Sequence, residues 1–282
     1  MAEHYTITYQ AENTYDFPVV EASWQFLIIP EENPSQSRPT IWFSNSEATP
    51  WELSRNGFGF PVIRIRNRHS LKSIRFEARF SLTKQAVNPF DFDPGLLLPY
   101  EPERFGQLPF RIRFDTFLKS TPLTRLPQGV PVFCFDRGMG LLENLQALNT
   151  WVYEDIRYTP GLTHVDTTLD EILELRKGVC QDFAHLFIAI ARAHGIPARY
   201  VSGYLHQGLG FFGDAQMHAW VEAFLPEVGW IGFDPTNNML AASDHIKVAH
   251  GRDYSDCAPL KGVVYGPGSN ASRHQVQVST QQ

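Results

Sequence analysis

The sequence predicts an α+β fold in two domains, and three observations lead to this prediction. The first part of the chain alternates apolar and polar residues with the period of half-buried antiparallel strands. A proline-rich stretch then interrupts regular structure, and beyond it apolar residues recur at helical spacing before strand patterns return. We therefore predict a β-sandwich-like domain with its connecting segment at 1–130, a second domain with a helix packed on an antiparallel sheet at 131–268, and a frayed polar tail at 269–282.

The strands of the first domain are recognised by alternation and by β-forming residues. Residues 5–10 and 61–66 follow this pattern, and residues 73–82 set five apolar side chains against a polar face. Turn-forming residues separate these runs, as expected for short strands in a sandwich. The density of proline over residues 84–130 argues against long elements, so we expect an irregular connection there.

The second domain is expected to contain three helices and three strands. We predict helices over 140–153, 168–175 and 179–194 and strands over 198–205, 215–225 and 230–234. At the start of the second helix, either Thr167 or Thr168 together with Glu171 resembles a capping box. The third helix carries one apolar stripe and ends before a Gly-Ile-Pro stop at 195–197, which is typical of a helix packed against a core.

The composition limits the partners and the compartment. The formal net charge is −6, so the chain has no basic excess to neutralise phosphates, and we do not expect nucleic acid as a partner. No apolar run is long enough to span a bilayer, and the first residues lack the basic and apolar regions of a secretory signal. We expect a cytoplasmic protein with reduced thiols and no membrane association, in which Cys134 and Cys257 are structural and Cys257 lies in an exposed loop.

Cys180 begins the third predicted helix, directly after Gly178 and Val179. A helix N-terminus presents unpaired backbone N–H groups and a partial positive charge, and both favour the nucleophilic thiolate. The same N–H groups could hold the oxyanion of an acyl-transfer step. A lone cysteine is otherwise commonly an apolar filler, and its position alone does not decide between the two interpretations.

His218 begins a predicted strand, and Asp234 ends the next one. Taken singly, a histidine in a strand is usually structural, and an aspartate beside a proline usually forms a turn. Residues 226–229 join the two strands and predict a hairpin. If the hairpin is centred on Pro226, His218 and Asp234 lie directly opposite each other, with Cβ atoms about 5 Å apart. The loop must then have an odd length, because a slip of one residue would put the two side chains on opposite faces.

Three motifs in this order resemble the bacterial transglutaminase-like proteins. They are Gly-Val-Cys-Gln-Asp-Phe-Ala-His-Leu at 178–186, His-Ala-Trp-Val-Glu at 218–222 and Gly-Trp-Ile-Gly-Phe-Asp-Pro-Thr-Asn at 229–237. The segment 248–262 and the opening Tyr-Thr-Ile-Thr-Tyr at 5–9 also resemble this family, so the resemblance covers nearly the whole chain. It implies a papain-like core preceded by a β-rich domain.

The resemblance also implies that Cys180 is the nucleophile, that His218 is the general base and acid, and that Asp234 orients His218. The implied reaction is acyl transfer on a peptide or protein amide through a thioester. If water resolves the thioester, the protein is a peptidase or amidase, which we favour because water is always present; if an amine resolves it, the protein is a transglutaminase. A non-catalytic peptide-binding module is the alternative from another class.

No metal-binding or nucleotide-binding motif is present, so we expect neither a metal nor another cofactor.

Four further residues near these motifs have simpler interpretations. We expect Asp182 and His185 on the exposed side of the third helix, in a local polar contact rather than in catalysis. Trp220 and Trp230 share strand faces with the histidine and the aspartate, and they either shield the site from water or pack in the core.

Overall fold

The computed structural model describes residues 2–96, 99–130, 132–206, 210–213 and 215–281. Within these residues the chain forms fifteen strands and seven α-helices, in the mixed α+β arrangement that the sequence predicts. The first part contains β1 (Ala2–Val19), β2 (Glu21–Phe26), β3 (Thr40–Asn45), β4 (Trp51–Arg55), β5 (Pro61–Asn67) and β6 (Leu71–Gln85). The proline-rich connection contains the short helices α1 (Pro102–Phe105), α2 (Leu108–Arg113) and α3 (Asp115–Leu118).

The second part contains the longer helices and a second set of strands. In chain order these are α4 (Leu141–Asp155), β7 (Arg157–Tyr158), α5 (Leu169–Leu175), β8 (Lys177–Gly178), α6 (Cys180–Ala193), β9 (Ala198–Leu205), β10 (His218–Leu225), β11 (Gly229–Asp234), β12 (Met239–Leu240), β13 (His245–Gly251), α7 (Tyr254–Cys257), β14 (Leu260–Tyr265) and β15 (Asn270–Gln281). The three predicted helices and three predicted strands are all present, although β10 begins at residue 218 rather than 215. Among the described residues, no helix has the length and apolar character needed to cross a bilayer.

Two four-stranded antiparallel sheets form the sandwich-like part. Their strand orders are β15-β1-β6-β3 and β14-β2-β5-β4. Aromatic side chains fill the space between the sheets, and Phe26 packs against Phe76 with ring centroids 4.8 Å apart and against Phe43 at 5.6 Å. Edge-to-face and tilted contacts of this kind favour close packing of the two sheets. The expected β-sandwich-like domain is therefore present.

The C-terminal residues are part of this sandwich, which corrects the expectation of a frayed tail at 269–282. Strand β15 pairs antiparallel with β1 from Asn270 opposite Tyr15 to Gln281 opposite His4. Val276 and Val278 are buried, while the residues between and around them are mostly exposed. The polar composition hides a strand pattern, because on an edge strand only every second side chain faces the core.

The second part of the chain is built around α6. The helix lies against a five-stranded antiparallel sheet with the order β12-β11-β10-β9-β13, and it also contacts α4 and α5. Its residues from Gln181 to Arg192 are buried, so all sides of the helix are enclosed. A helix enclosed in this way holds its first residue, Cys180, in a fixed position relative to the sheet.

The loop between β10 and β11 has the predicted odd length, but the predicted centre of the hairpin is wrong. Leu225 pairs with Gly229 and Val221 pairs with Phe233, so the hairpin is centred on Glu227 rather than on Pro226. The turn places Glu227 at φ 66° and Gly229 at φ 109°, and these left-handed conformations set its position. His218 is therefore not directly opposite Asp234; the two are diagonal neighbours on one face of the sheet.

The strands β12 and β13 lie at opposite edges of the five-stranded sheet, so residues 241–244 cross from one edge to the other. We call these four residues the crossing segment. Lys84 of β6 donates hydrogen bonds from Nζ to the carbonyl oxygen of Ala242, at 3.1 Å, and to that of His245. The sandwich thus holds the crossing segment and the start of β13.

Candidate active site

Cys180 is the first residue of α6, as the sequence predicts. Val179 precedes it in an extended conformation, and the carboxylate of Asp182 accepts the backbone N–H of Val179 at 2.7 Å. Gly178 makes this closure possible, because a Cβ at that position would lie 2.6 Å from the Asp182 carboxylate. The Gly-Val-Cys-Gln-Asp sequence therefore forms a capped helix start. Asp182, the third residue of the helix, accepts the backbone N–H of Val179, which directly precedes Cys180.

Asp182 and His185 are both buried, and the expectation that they lie on the exposed side of α6 is wrong. The reason is the enclosure of α6 described above, which leaves this helix no solvent-facing side. Asp182 also accepts a hydrogen bond from Oγ1 of Thr163 at 2.6 Å, and Nε2 of His185 accepts the backbone N–H of Tyr254 at 3.2 Å. Asp182 therefore ties the loop that contains Thr163 to the start of α6, and His185 ties the start of α7 to α6.

His218 and Asp234 lie side by side in the interior. Nε2 of His218 is 2.8 Å from Oδ2 of Asp234, and both side chains are buried. Because an ionised carboxylate can only accept, the Nε2 atom of His218 carries the proton in this hydrogen bond. The hydrogen bond fixes the orientation of the imidazole and leaves its other nitrogen, Nδ1, without a hydrogen-bond partner in the part of the chain that the structure describes.

The carboxylate of Asp234 accepts hydrogen bonds on both oxygens. Oδ2 also accepts from Nε2 of His245 at 3.0 Å and from Nδ2 of Asn237 at 2.8 Å. Oδ1 accepts the backbone N–H of Thr236 at 3.1 Å. Burial by itself raises the pKa of Asp234, but the neighbouring His218 and His245 lower it, and the net pKa is well below the usual range. Asp234 is therefore an anion held in one orientation.

The environment of His218 favours its charged form. Burial alone lowers the pKa of His218, but the charge and hydrogen bond of Asp234, together with the nearby Cys180, raise the pKa to about 10. The Nδ1 atom has no hydrogen bond of ordinary geometry among the described residues. Gly213 packs on this atom, since a Cβ there would lie 2.6 Å from it. The imidazole is thus positively charged at neutral pH, with a free N–H beside Cys180.

A cavity of about 490 Å³ opens over Cys180 and His218. Cys180 is partly exposed, and Tyr200 of β9 forms part of the cavity wall. Tyr9 of β1 and His274 of β15 also line the cavity, and the Tyr9 hydroxyl lies 2.9 Å from Nδ1 of His274. The sandwich therefore contributes to the wall of the same cleft that contains the thiol and the imidazole.

His218, Asp234 and His245 offer three potential metal-ligand atoms within 4.8 Å of one another. The two imidazole nitrogens, however, lie at hydrogen-bond distances of 2.8 Å and 3.0 Å from a single carboxylate oxygen. A metal-bound imidazole must direct a lone pair at the ion, whereas these nitrogens direct N–H groups at Asp234. The donor set fits a hydrogen-bonded carboxylate better than a metal centre.

Two residues that hold Asp234 were not singled out from the sequence. Asn237 follows Asp234 by three positions, and the turn-forming character of this Asp-Pro-Thr-Asn stretch could have identified it. His245 follows Asp234 by 11 positions, and it reaches the carboxylate only because the crossing segment spans the sheet. No local pattern marks His245, so the tertiary structure alone identifies it.

The two tryptophans have different environments. Trp220 is buried, and its ring lies 6.2 Å from the ring of His218 in a stacked orientation. It therefore shields one side of the imidazole from water. Trp230 instead packs against Phe224 and beneath the guanidinium of Arg199, 4.1 Å from the ring centroid, and contributes to packing elsewhere on the sheet.

The other two cysteines differ from each other in exposure. Cys134 is exposed, whereas Cys257 is fully buried, so the expectation that Cys257 lies in an exposed loop is wrong. Cys257 ends α7, which packs against β9 and β13, and burial raises the pKa of its thiol well above the usual value. Cys257 is therefore protected from solvent, and Cys134 is a more suitable reference for an accessible thiol.

Comparison with known proteins identifies relatives over the whole chain. The family model of the Transglutaminase-like superfamily matches residues 136–235, a range that contains Cys180, His218 and Asp234. An uncharacterized protein of Mycobacterium tuberculosis is 30% identical over 282 residues, which cover 95% of this chain and 89% of that protein.

Two further comparisons concern named proteins. A protein-glutamine gamma-glutamyltransferase of Pseudomonas aeruginosa is 37% identical over 132 residues, which are 42% of this chain and 20% of that enzyme. A crystal structure from Cytophaga hutchinsonii, described as a candidate cysteine protease, superposes with a TM-score of 0.71 at 20% identity and covers 100% of this chain and 92% of that one. The second comparison shows that the two proteins share a fold.

Proposed function

This chain belongs to the transglutaminase-like superfamily, and we propose that it is a cysteine-dependent peptidase or amidase, which transfers the acyl group of a peptide or protein amide to water. In this proposal Cys180 is the nucleophile, His218 is the general acid and base, and Asp234 orients His218. The observation that carries the proposal is the shared cavity, in which a thiol at a helix N-terminus adjoins an imidazole paired with a buried carboxylate.

Acylation follows from the charges of the site. The imidazolium of His218 stabilises the thiolate of Cys180, which attacks the amide carbonyl and forms a C–S bond. In this proposal the first backbone N–H groups of α6 donate to the oxyanion that develops on the former carbonyl oxygen. The Nδ1–H of His218 then protonates the departing nitrogen as the C–N bond breaks, which releases an amine or ammonia and leaves a thioester on Cys180.

Deacylation reverses the proton transfer. His218, now neutral, accepts a proton at Nδ1 from a water molecule as the water oxygen attacks the thioester carbonyl. The C–S bond then breaks, the carboxylic acid product leaves, and the thiolate–imidazolium pair is restored. The sum of the two steps is the hydrolysis of an amide, and Asp234 stays ionised throughout.

Transamidation is the second candidate reaction. The Pseudomonas aeruginosa relative is named a gamma-glutamyltransferase, and the same thioester would then be attacked by a primary amine in place of water. A non-catalytic peptide-binding module is the third candidate, and it predicts that peptides occupy the cavity without turnover.

The fate of the thioester distinguishes these candidates. The purified protein is incubated with glutamine-containing peptides in the absence and presence of a fluorescent primary amine, and mass spectrometry follows the products, with Cys180→Ala as the control. Cleavage or deamidation that continues in the presence of the amine supports hydrolysis, whereas incorporation of the amine supports transamidation. A peptide that binds both proteins equally and is never altered would contradict the proposed catalysis.

A further inference from the structure

The second imidazole on Asp234 has no role in the mechanism described above. His245 begins β13, it is buried, and its Nε2 atom lies 3.0 Å from the Asp234 oxygen that also accepts from His218. The ring centroids of the two histidines are 6.1 Å apart. Two histidines therefore donate to the same carboxylate oxygen, and the protonation of one affects the other.

The surroundings of His245 fix its protonation and its tautomer. The backbone N–H of Ala242 points at Nδ1 from 3.3 Å, so Nδ1 accepts and Nε2 carries the proton that is donated to Asp234. Burial is the main cause that lowers the pKa of His245, and the nearby charges of His218 and Lys84 lower it further against the opposing effect of Asp234. His245 is therefore a neutral donor, and the positive charge of the pair resides on His218.

The sandwich holds His245 in this position. Lys84, which is buried in β6, donates to the carbonyl oxygens at both ends of the turn from Ala242 to His245. The backbone N–H of Val87 also donates to Oγ of Ser243 in the crossing segment at 3.0 Å. These contacts come from a part of the chain more than 150 residues earlier, since Lys84 and Ala242 are 158 positions apart.

We propose that His245 is a positioning residue for Cys180, His218 and Asp234. In this proposal the neutral His245 holds the Asp234 carboxylate against His218 by donating a hydrogen bond to it, and Lys84 of the sandwich keeps His245 in place. This inference rests on the proposed function, because it assigns a part in the activation of Cys180. It also assigns a role to the sandwich, which acts on the candidate active site through the crossing segment rather than as a separate module.

The test compares the rate at which iodoacetamide alkylates Cys180 in a set of variants, read by peptide mass spectrometry. His245→Leu removes the donor and should slow alkylation by about 10- to 100-fold, the range expected for one hydrogen bond to a charged group. His245→Gln keeps an N–H donor near the position of Nε2 and should stay within about threefold of the wild type. His250→Leu is the matched control, since His250 is a second histidine of β13 and its Nε2 atom lies 3.2 Å from Nη1 of Arg199 rather than on Asp234.

The double variant tests the part of Lys84. Lys84→Met should slow alkylation by less than His245→Leu, and it should have no further effect when His245 is already leucine, because residues that act through one another are non-additive. If the double variant is slower than the wild type by the product of the two single effects, the proposed role of Lys84 is overturned. Thermal unfolding of each variant shows that the rates compare folded proteins.

Three results separate this inference from the proposed function. If wild-type Cys180 reacts no faster than the exposed Cys134, the proposed function fails. If wild-type Cys180 is activated and folded His245→Leu reacts at the same rate, or if His245→Gln is as slow as His245→Leu, the role of His245 is overturned while the proposed function stands. If the leucine variant does not fold, nitrogen-edited NMR of the wild type decides, since the inference requires two imidazole N–H protons hydrogen-bonded to Asp234 and a single one would overturn it.

Discussion

His218 and Asp234 form a buried pair, with Nε2 of His218 2.8 Å from Oδ2 of Asp234. The pair lies diagonally across two strands of an antiparallel sheet, and Trp220 covers one face of the imidazole. Because the carboxylate is fully buried, its charge acts on the imidazole with little screening by solvent. In the proposed mechanism, the charge of the imidazole therefore depends on this one hydrogen bond and on the residues that hold Asp234.

The thiol of Cys180 should be the most reactive of the three cysteines. At about pH 6 we expect iodoacetamide to alkylate Cys180 about 10-fold or more faster than the exposed Cys134, because the imidazolium of His218 stabilises the thiolate. The buried Cys257 should react only after unfolding. Peptide mass spectrometry over a pH series measures all three rates at once, and His218→Ala should remove the advantage of Cys180. Equal rates for Cys180 and Cys134 would contradict the prediction.

Replacement of Asp234 by asparagine should preserve the packing and remove the charge. We expect a loss of about 10³- to 10⁴-fold in turnover, similar to the loss of the aspartate in serine protease triads. The pKa of His218 should fall from about 10, because Asp234 is the main cause that raises it against burial. NMR titration of the His218 ring measures this shift, and an unchanged titration would show that Asp234 does not control the imidazole.

The same pair should make the stability of the protein depend on pH. His218 has a pKa of about 10 in the folded protein and about 6.5 in an unfolded chain, so its contribution is complete below about pH 6.5 and is lost as the pH rises toward 10. Asp234 has a lowered pKa, so its contribution is lost as the pH falls below about 3.8. The free energies of unfolding of the wild type and of Asp234→Asn, measured with urea, should therefore differ most between about pH 3.8 and pH 6.5. The difference should be smaller at about pH 10. A difference that grows with pH would contradict this assignment.

Gly178 should tolerate no side chain. A Cβ at Gly178 would lie 2.6 Å from Oδ2 and 2.7 Å from Cβ of Asp182, and the buried Asp182 has little room to move. Gly178→Ala should therefore destabilise the protein by about 1–3 kcal/mol and slow the alkylation of Cys180, which begins the same helix. Gly57→Ala is the matched control, because no atom lies within 4 Å of a Cβ at Gly57 and thermal unfolding should be nearly unchanged.

Glu222 should stabilise the sheet through a partly buried charge network. Burial alone raises its pKa, but Arg199 at 2.6 Å and Lys247 at 2.8 Å donate to its carboxylate and lower the pKa to about 2. Glu222→Gln should cost about 1–3 kcal/mol at neutral pH, because it removes the anion that both cations share, while Lys247 keeps Glu31 at 3.8 Å. The loss should shrink as the pH falls from about 4.5 toward 2 and the wild-type carboxylate is protonated.

An exposed ion pair provides the control for this prediction. Glu77 pairs with Arg79 at 2.6 Å on the sandwich surface, where Arg79 is 60% exposed. Glu77→Gln should change the free energy of unfolding by no more than about 1 kcal/mol. If the two substitutions change the free energy of urea unfolding equally, the network around Glu222 is not stabilising.

Removal of β15 should destabilise the sandwich. A chain that ends after Gly268 lacks the strand that pairs with β1 and the two buried valines, Val276 and Val278. The exposed edge of β1 should then promote self-association, because unpaired strand edges recruit other chains. Light scattering and thermal unfolding measure this effect, with Gln275→Ser and Gln277→Ser on the exposed face as the control. A monomeric truncated protein of unchanged stability would show that the strand is dispensable.

Much of the local structure could be predicted from the sequence. The helix that begins at Cys180, the strands that carry His218 and Asp234, and the capping box at Thr168 follow from periodicity and end signals within a few residues. Such features depend on near neighbours in the chain. The centre of the hairpin was predicted one residue too early, at Pro226 instead of Glu227. Proline is a common turn residue and suggested the wrong centre, whereas the turn depends on the left-handed backbone of Glu227 and Gly229.

The errors share a physical cause, which is burial by distant parts of the chain. Asp182 and His185 look like surface residues from their polarity, and they are buried because α6 is enclosed by two helices and a sheet. The polar residues of β15 look like a frayed tail until β1 is placed beside them. Cys257 looks exposed until α7 packs against β9 and β13.

Local patterns were enough to predict the main helices and strands of the second domain, the thiol at the start of α6, and the common face of His218 and Asp234, because these follow from periods of 3.6 and 2 residues in one stretch of chain. The groups that hold Asp234 are instead brought together by the packing of distant parts of the chain. His245 reaches the carboxylate through the crossing segment, and Lys84 reaches that segment from the sandwich. Contacts over such separations are set by how layers pack around a core, and no local pattern of residues encodes them.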